Sequence, residues 1–139
     1  MQNQGREESR TILIAERDQN VRQLQRVFLE RVGFTVEFAD DGQAALEQSL
    51  LGRPALIITE ILLPKLDGLA LCRRLREDPR TTNIPVIVFS ILAAAQRARD
   101  AGASTFLRKP LVDSVFVAAV QDLIAAQPTG AVEEQWASR

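Results

Sequence analysis

Four charged or hydroxyl-bearing side chains stand at the end of, or just after, short apolar runs of the sequence. They are Glu16, Glu60, Ser90 and Lys109. Carboxylates, a hydroxyl and an ammonium group form charge-assisted hydrogen bonds with one another, and carboxylate oxygens are the ligands that hard divalent cations prefer. These residue types predict a polar site, provided that the fold brings the four positions together.

The composition excludes several other kinds of chemistry. The 139-residue chain contains no histidine, which excludes a Ser-His-Asp triad, histidine acid–base catalysis and histidine-ligated zinc. Lys65 and Lys109 are the only lysines, and Cys72 is the only cysteine. A single cysteine forms no internal disulfide, and the polar start MQNQGREESR has no signal-peptide pattern, so we expect a cytoplasmic protein.

The charge balance and the hydrophobic content indicate one ordinary folded domain. Lys and Arg number 17 against 18 Asp and Glu, a formal net charge of -1, and 46% of the residues are hydrophobic. This balance argues against direct binding of nucleic acid or of an anionic membrane surface, and no apolar run is long enough for a spanning helix. We expect a disordered segment at residues 1–10, the domain at residues 11–126, and a tail or linker at residues 127–139.

Five short runs have the composition of β-strands, and a helical pattern follows each of them. The runs are Thr11 to Ala15, Phe34 to Ala39, Ala55 to Thr59, Pro85 to Ser90 and Thr105 to Leu107. Strict alternation predicts a doubly wound, three-layer α/β sandwich with a five-stranded parallel sheet and five helices, because parallel neighbours need helical crossovers. The second run alternates apolar and polar residues, which places it at an edge of the sheet.

The first and last helices have apolar patterns that predict what they bury. Asp18 is the predicted N-cap of the first helix, whose predicted buried face is Val21, Leu24, Phe28 and Val32. The predicted buried face of the last helix is Val112, Val115, Phe116, Ala119, Val120 and Leu123. Val117 and Ile124 lie off that face, so we expect them to be exposed beside the weakly patterned, alanine-rich helix at residues 91–101.

Parallel strands present their carboxyl ends at the same edge of a sheet. Glu16, Glu60, Ser90 and Lys109 are therefore expected at one edge, beyond the strands. Doubly wound folds bind ligands at that edge, where the strand order reverses. This joint placement favours a functional site over four independent surface residues.

A further basic cluster lies in and after the helix that follows the third strand. It consists of Arg73, Arg74, Arg76 and Arg80. A solvated helix face is favoured, and docking of an acidic partner is the alternative.

Several of these residues stand in patterns that resemble the receiver domain of two-component response regulators, the chemotaxis regulators among them. The patterns are Glu16-Arg17, the stretch IITEILLPKLDG at residues 57–68, Ser90, and Lys109-Pro110. The resemblance implies a flavodoxin-like sheet of strand order 2-1-3-4-5, which agrees with the second strand at an edge. It also implies phosphoryl transfer from a histidine kinase to an aspartate, with Mg²⁺ held by that aspartate and an acidic pair.

The resemblance assigns a role to each matching position. Glu16 and Arg17 match the acidic pair, Glu60 the acceptor aspartate, Ser90 the switch hydroxyl, Phe106 the aromatic switch position, and Lys109 the lysine that binds the phosphoryl oxygens. The resemblance also implies a cis peptide bond between Lys109 and Pro110.

Two departures from the family fall on the chemistry itself. Glu60 replaces the acceptor aspartate, and Arg17 replaces the second acid. Counting Glu16 and Glu60 against Arg17 and Lys109 gives a neutral pocket, so we expect Mg²⁺ binding to be lost, with the two glutamates as remnants of the site and no cofactor bound. Asp18 lies one position late for the acidic pair, and its use as an N-cap is favoured over its use as a substitute ligand.

Glu60 is one methylene longer than aspartate, so its carboxylate extends toward Ser90 or Lys109. A charge-assisted contact with either group holds the domain in an activated-like state or in a single fixed state unrelated to activation. The sequence leaves both alternatives open.

The sequence favours a degenerate receiver that is not an enzyme and is not phosphorylated itself. Its expected partners are proteins: a histidine kinase, an output domain or another signalling protein, and a second copy bound through the last two helices and the fifth strand. The alternative is a working Mg²⁺-dependent phosphoacceptor, against which the charge count argues. A nucleotide- or flavin-binding protein is a distant alternative, because residues 15–19 lack a glycine-rich phosphate loop.

Overall fold

The computed structural model describes residues 10–126, in which strands and helices alternate along the chain. The strands are β1 (Thr11–Ala15), β2 (Thr35–Ala39), β3 (Leu56–Thr59), β4 (Val86–Ser90) and β5 (Thr105–Arg108). The helices are α1 (Gln19–Arg31), α2 (Gly42–Gly52), α3 (Gly68–Glu77), α4 (Ala95–Asp100) and α5 (Asp113–Ala125). The predicted tail at residues 127–139, and residues 1–9 of the segment predicted at residues 1–10, lie outside the described residues.

The five strands form one parallel sheet in the order β2-β1-β3-β4-β5. The predicted fold class and strand order are therefore confirmed. β3 and β4 are buried along their whole length, whereas β2 alternates exposed and buried residues as an edge strand with one solvated face does.

Two apolar layers cover the two faces of the sheet. Leu13 and Ala15 of β1 point into one layer, which also contains buried residues of α2, α3 and α4. Ile12 and Ile14 point into the other layer, which contains buried residues of α1 and α5. Side chains of a strand alternate between the two faces of a sheet, so the central strands carry apolar residues on both faces.

The first helix buries a different residue from the one that its composition predicts. Leu24 is 46% exposed, whereas Gln25 is fully buried. The buried face is centred on Gln25 and Leu29, with Val21, Phe28 and Val32 partly buried around them. Those positions follow helical spacing. Gln25 is therefore buried because of where it lies on the helix, although its side chain is polar.

The last helix also lies rotated from its predicted orientation. Phe116 and Val120 are buried as predicted, but Val112 and Val115 are 49% and 53% exposed. Val117 and Ile124, which were expected to be exposed, are partly buried against the layer below α1 and α5. The helix is apolar on most of its surface, so the pattern of residue types does not fix which stripe faces the sheet.

The alanine-rich helix and Arg10 also differ from the sequence-based expectation. The alanine-rich helix covers only Ala95–Asp100, and Ala94 at its N-cap has no side chain that can bind the free backbone N–H groups. Arg10, placed by prediction in the disordered segment, donates a hydrogen bond to the Gly33 carbonyl at 3.1 Å and stacks on the Phe34 ring at 4.4 Å.

The buried amide of Gln25 is expected to cost stability. Neither its oxygen nor its nitrogen has a hydrogen-bond partner among residues 10–126, and an unpaired buried polar group costs about 1–3 kcal/mol. Gln25→Met, which keeps the shape of the side chain, is therefore expected to raise the free energy of unfolding by about 1 kcal/mol in urea denaturation. The exposed Gln23→Met is the matched control, and equal stability of the two variants would contradict the expectation.

Candidate functional site

The ammonium group of Lys109 lies between two carboxylates at the carboxyl ends of β1, β3 and β5. Its Nζ is 3.1 Å from Oε1 and 3.1 Å from Oε2 of Glu16, and 3.1 Å from Oε1 of Glu60. The exposed fractions of the side chains are 14% for Lys109, 3% for Glu16 and 6% for Glu60. The structure thus brings together three of the residues that the sequence predicts at this edge, and shields their charges from water.

The backbone that positions Glu60 and Lys109 is held by neighbouring strands. The N–H of Glu60 donates to the Ala15 carbonyl at 3.0 Å, and the N–H of Lys109 donates to the Ser90 carbonyl at 2.8 Å. At Gly68 an added Cβ would lie 2.0 Å from the carbonyl oxygen of Glu60, so only glycine fits where α3 begins. The peptide bond between Lys109 and Pro110 is cis, as the resemblance implies.

The second carboxylate oxygen of Glu60 has its own set of donors. Oε2 accepts hydrogen bonds from the backbone N–H of Ile61 at 2.6 Å, from the N–H of Leu62 at 3.2 Å, and from the Ser90 hydroxyl. The Ser90 Oγ in turn accepts from the N–H of Leu92 at 3.2 Å. Hydrogen bonds to an ionised acceptor are among the stronger ones in proteins, so Glu60 is fixed at both oxygens.

The two carboxylates determine the charge state of Lys109. Burial by itself lowers the pKa of the Lys109 ammonium, but hydrogen bonds and attraction from Glu16 and Glu60 outweigh burial and raise the pKa above its ordinary value of 10.5. A lysine whose pKa is raised by folding stabilises the fold at all pH values below its unfolded pKa. The contribution of Lys109 is therefore present at neutral pH and is lost as the pH rises above 10.5.

Arg17 and Asp18 lie outside this charged site. The Arg17 side chain is exposed and makes no hydrogen bond or ion pair with another residue in the range 10–126. Lys109 already contacts three of the four carboxylate oxygens, so a buried guanidinium would lose its hydration and gain few partners. Asp18 is the N-cap of α1, as predicted, and accepts from the N–H of Asn20 at 2.8 Å.

The position of Arg17 corrects the sequence-based charge count. With Arg17 in solvent, the site contains the two carboxylates of Glu16 and Glu60 and one ammonium, so its net charge is negative and not zero. Backbone N–H groups offset part of this excess negative charge. The N–H of Asp18 donates to the Glu16 carboxylate at 3.1 Å, and the N–H groups of Ile61 and Leu62 donate to the Glu60 carboxylate.

The residues of the site, as they are arranged, do not fit a Mg²⁺ ion. Mg²⁺ requires near-octahedral oxygen ligands, whereas Glu16 and Glu60 both face the Lys109 ammonium. Within residues 10–126, no group of three or more Asp, Glu, Cys or His side chains is arranged to hold a metal ion.

Arg22 is a structural residue of this edge that the sequence patterns did not single out. Its Nε donates to the Glu16 carbonyl, and its Nη2 donates to the Ala39 carbonyl at 3.1 Å and to Asp40 at 3.0 Å. These bonds join the carboxyl ends of β1 and β2. An arginine one turn into a helix that follows a strand is the signal that indicates this role.

The contacts of Phe106 lie outside the charged site. On β5 it pairs with Val88, and its partly buried ring packs on the apolar layer of α2, α3 and α4. Its role as an aromatic switch stays a prediction.

The five helices between residues 10 and 126 are too short or too polar to span a lipid bilayer.

Comparison with known proteins defines the class to which this fold and site belong. The sequence matches the response regulator receiver domain family over residues 12–121, and the chain belongs to that family.

Curated relatives contain further sequence beyond the matching region. The DNA-binding dual master transcriptional regulator RpaA of Synechocystis sp. is 35% identical over 116 residues, which are 81% of this chain and 48% of the relative. The response regulator PleD of Caulobacter vibrioides is 31% identical over 118 residues, 83% of this chain and 26% of the relative. The chain therefore spans about half, or less, of the length of these relatives.

Solved receiver domains match the chain almost over their whole length. The receiver domain of a signal transduction histidine kinase from Syntrophus aciditrophicus is 34% identical, with a TM-score of 0.79 over 87% of this chain and 95% of that chain. A putative response regulator from Chloroflexus aurantiacus is 30% identical, with a TM-score of 0.80 over 85% and 99% of the two chains.

Proposed function

We propose that this receiver domain works without being phosphorylated and signals through protein contacts. The carboxylate of Glu60, at the position that matches the family's phosphoacceptor, is already bound by Ser90 and Lys109. These are the two side chains that the resemblance assigns to the phosphoryl oxygens. That observation carries the proposal, because the carboxylate takes the partners that a phosphoryl group would need.

Both oxygens of Glu60 are engaged, which weakens it as a nucleophile. Oε1 pairs with the Lys109 ammonium, and Oε2 accepts from Ser90 and from two backbone N–H groups. Attack on a phosphoryl donor requires a lone pair that is free to form the new bond. Oε2, with three donors, becomes free only after such bonds break, whereas Oε1 keeps one lone pair, whose reactivity the adjacent ammonium charge lowers.

We also propose that the Lys109 ammonium takes the place of a divalent cation. The ammonium contacts Glu16 and Glu60 at 3.1 Å and carries the positive charge that two buried carboxylates need. The contact between Ser90 and Glu60 favours the activated-like state over an unrelated fixed state. In this proposal the switch hydroxyl is held permanently where phosphorylation would draw it.

Domains of this family interact with histidine kinases and output domains. For this chain we propose protein partners of that kind in the cytoplasm, no enzymatic activity of the domain itself, and no direct contact with nucleic acid or membrane. Pairing with a second copy through α4, β5 and α5 belongs to the same proposal. The exposed side chains of Ile91, Val112 and Val115, at 55%, 49% and 53%, support that surface.

The proposal is tested by phosphorylation with a small donor. After incubation with acetyl phosphate and Mg²⁺, intact-mass spectrometry is expected to show only the unmodified protein, and calorimetry is expected to show Mg²⁺ binding no tighter than about millimolar. A stoichiometric phospho-adduct that peptide mapping places on Glu60 would refute the proposal and establish the working phosphoacceptor instead.

A further inference from the structure

A cavity lies between α3 and α4, beside the charged site. Its volume is about 630 Å³, which is within the range of about 300–1,000 Å³ that is usual for small-molecule sites. Five of the nine residues that line it are aliphatic: Ile61, Leu62, Leu63, Leu69 and Leu92. Such walls favour a ligand that has an apolar body.

Two arginines line the same cavity from opposite helices. Arg73 belongs to α3 and Arg97 to α4, and both side chains are exposed. Neither guanidinium has a hydrogen bond or an ion pair with another residue of the described range 10–126. A guanidinium presents planar pairs of N–H donors that match a carboxylate or a phosphate.

The two acidic residues that line the cavity already have partners. Asp67 is the N-cap of α3 and accepts from the N–H groups of Leu69 and Ala70, both at 2.8 Å. Asp100 accepts from the side-chain amide of Gln96 at 2.8 Å. Each aspartate uses only its Oδ1 in these bonds, and the two guanidinium groups are the cationic groups of the lining, without a partner among residues 10–126.

We propose that this cavity binds a small organic anion, with its apolar body on the leucines and its acidic group between Arg73 and Arg97. The acidic group is a carboxylate or a phosphate, since both match the guanidinium geometry. This inference rests on the cavity alone and holds whether or not Glu60 accepts a phosphoryl group.

The walls of the cavity are also connected to the charged site. Ile61 and Leu62 donate their backbone N–H groups to Glu60, and Leu92 donates its N–H to Ser90. A ligand that packs on these side chains contacts the same backbone segments. The amide signals of Ile61, Leu62 and Leu92 are therefore sensitive probes of occupancy.

The test uses 8-anilinonaphthalene-1-sulfonate, a fluorescent anion with an apolar body, titrated into the folded 139-residue chain. We expect saturable binding at one site, and a loss of affinity of about tenfold in Arg73→Gln and in Arg97→Gln. The matched controls are Arg74→Gln on α3 and Arg99→Gln on α4, exposed arginines that do not line this cavity. The controls are expected to bind as the unchanged protein does.

Three results of the dye titration and the amide mapping would overturn the proposal. They are unchanged binding in the Arg73 and Arg97 variants, equal losses in the two controls, and amide shifts in a ¹H–¹⁵N spectrum that leave Ile61, Leu62 and Leu92 unaffected. Because the substituted arginines are exposed, the variants are expected to fold normally. The amide mapping uses the unchanged protein, so it tests the location of the ligand even if a variant fails to fold. Competition with octanoate and with octyl phosphate then distinguishes a carboxylate site from a phosphate site. If neither compound displaces the dye, the proposal is also refuted.

Discussion

Replacement of Lys109 by methionine is expected to lower the free energy of unfolding by about 3–5 kcal/mol, the cost of leaving a buried charge without its partner. The variant keeps most of the aliphatic stem and removes the ammonium that lies 3.1 Å from both Glu16 and Glu60. The two carboxylates, 3% and 6% exposed, then repel each other with little screening by water. Urea denaturation at neutral pH measures the loss.

Removal of one of the two carboxylate charges separates charge from packing. A second substitution, Glu16→Gln, added to Lys109→Met is expected to recover part of the loss at neutral pH, because the repulsion between the carboxylates is then absent. A loss that this second substitution does not recover would show that packing, and not charge, is its cause.

Lys65→Met is the matched control for this experiment. Lys65 is the other lysine of the chain, and its side chain is 69% exposed and 3.6 Å from Asp41. Exposed ion pairs contribute about 0–1 kcal/mol, so this variant is expected to lose little stability. Equal losses in the two lysine variants would contradict the role given to Lys109.

The convergence of Glu16, Glu60, Ser90 and Lys109 was predictable because it follows from topology. Parallel strands end at one edge, and the residue after each buried run is fixed in register by its strand, as the bond from the Glu60 N–H to the Ala15 carbonyl shows. The resemblance then gave the strand order, which the structure confirms. Backbone geometry thus determines which residues meet.

The orientation of long or ambiguous side chains was less predictable, because residue type alone does not determine it. Arg17 stands next to Glu16 in the chain and yet lies in solvent, since Lys109 already occupies the space between the carboxylates. Gln25 is buried although Leu24 is the more apolar neighbour, because the position of α1 on the sheet sets its inward stripe. Both outcomes depend on contacts between distant segments that local sequence does not encode.

The double substitution Arg17→Asp with Glu60→Asp is expected to restore Mg²⁺ binding, with an affinity at least about tenfold above that of the unchanged protein. The shorter side chain at position 60 withdraws its carboxylate from Ser90 and Lys109, which now hold it. The new carboxylate at position 17 supplies a third acidic group next to Glu16. Three carboxylates against one ammonium give the excess negative charge and the oxygen ligands that Mg²⁺ requires.

The matched control for that variant is Arg74→Asp with Glu60→Asp, which changes the net charge of the chain by the same amount at an exposed site on α3. Because Mg²⁺ binding depends on ligands at the site and not on distant charge, only the Arg17 variant is expected to bind the ion by calorimetry and to gain a phospho-adduct from acetyl phosphate. A folded Arg17 variant that binds Mg²⁺ no better than the unchanged protein would refute the view that these two positions silence the site. The contact of Lys109 with Glu16, two residues that neither substitution changes, would then be sufficient to exclude the metal by itself.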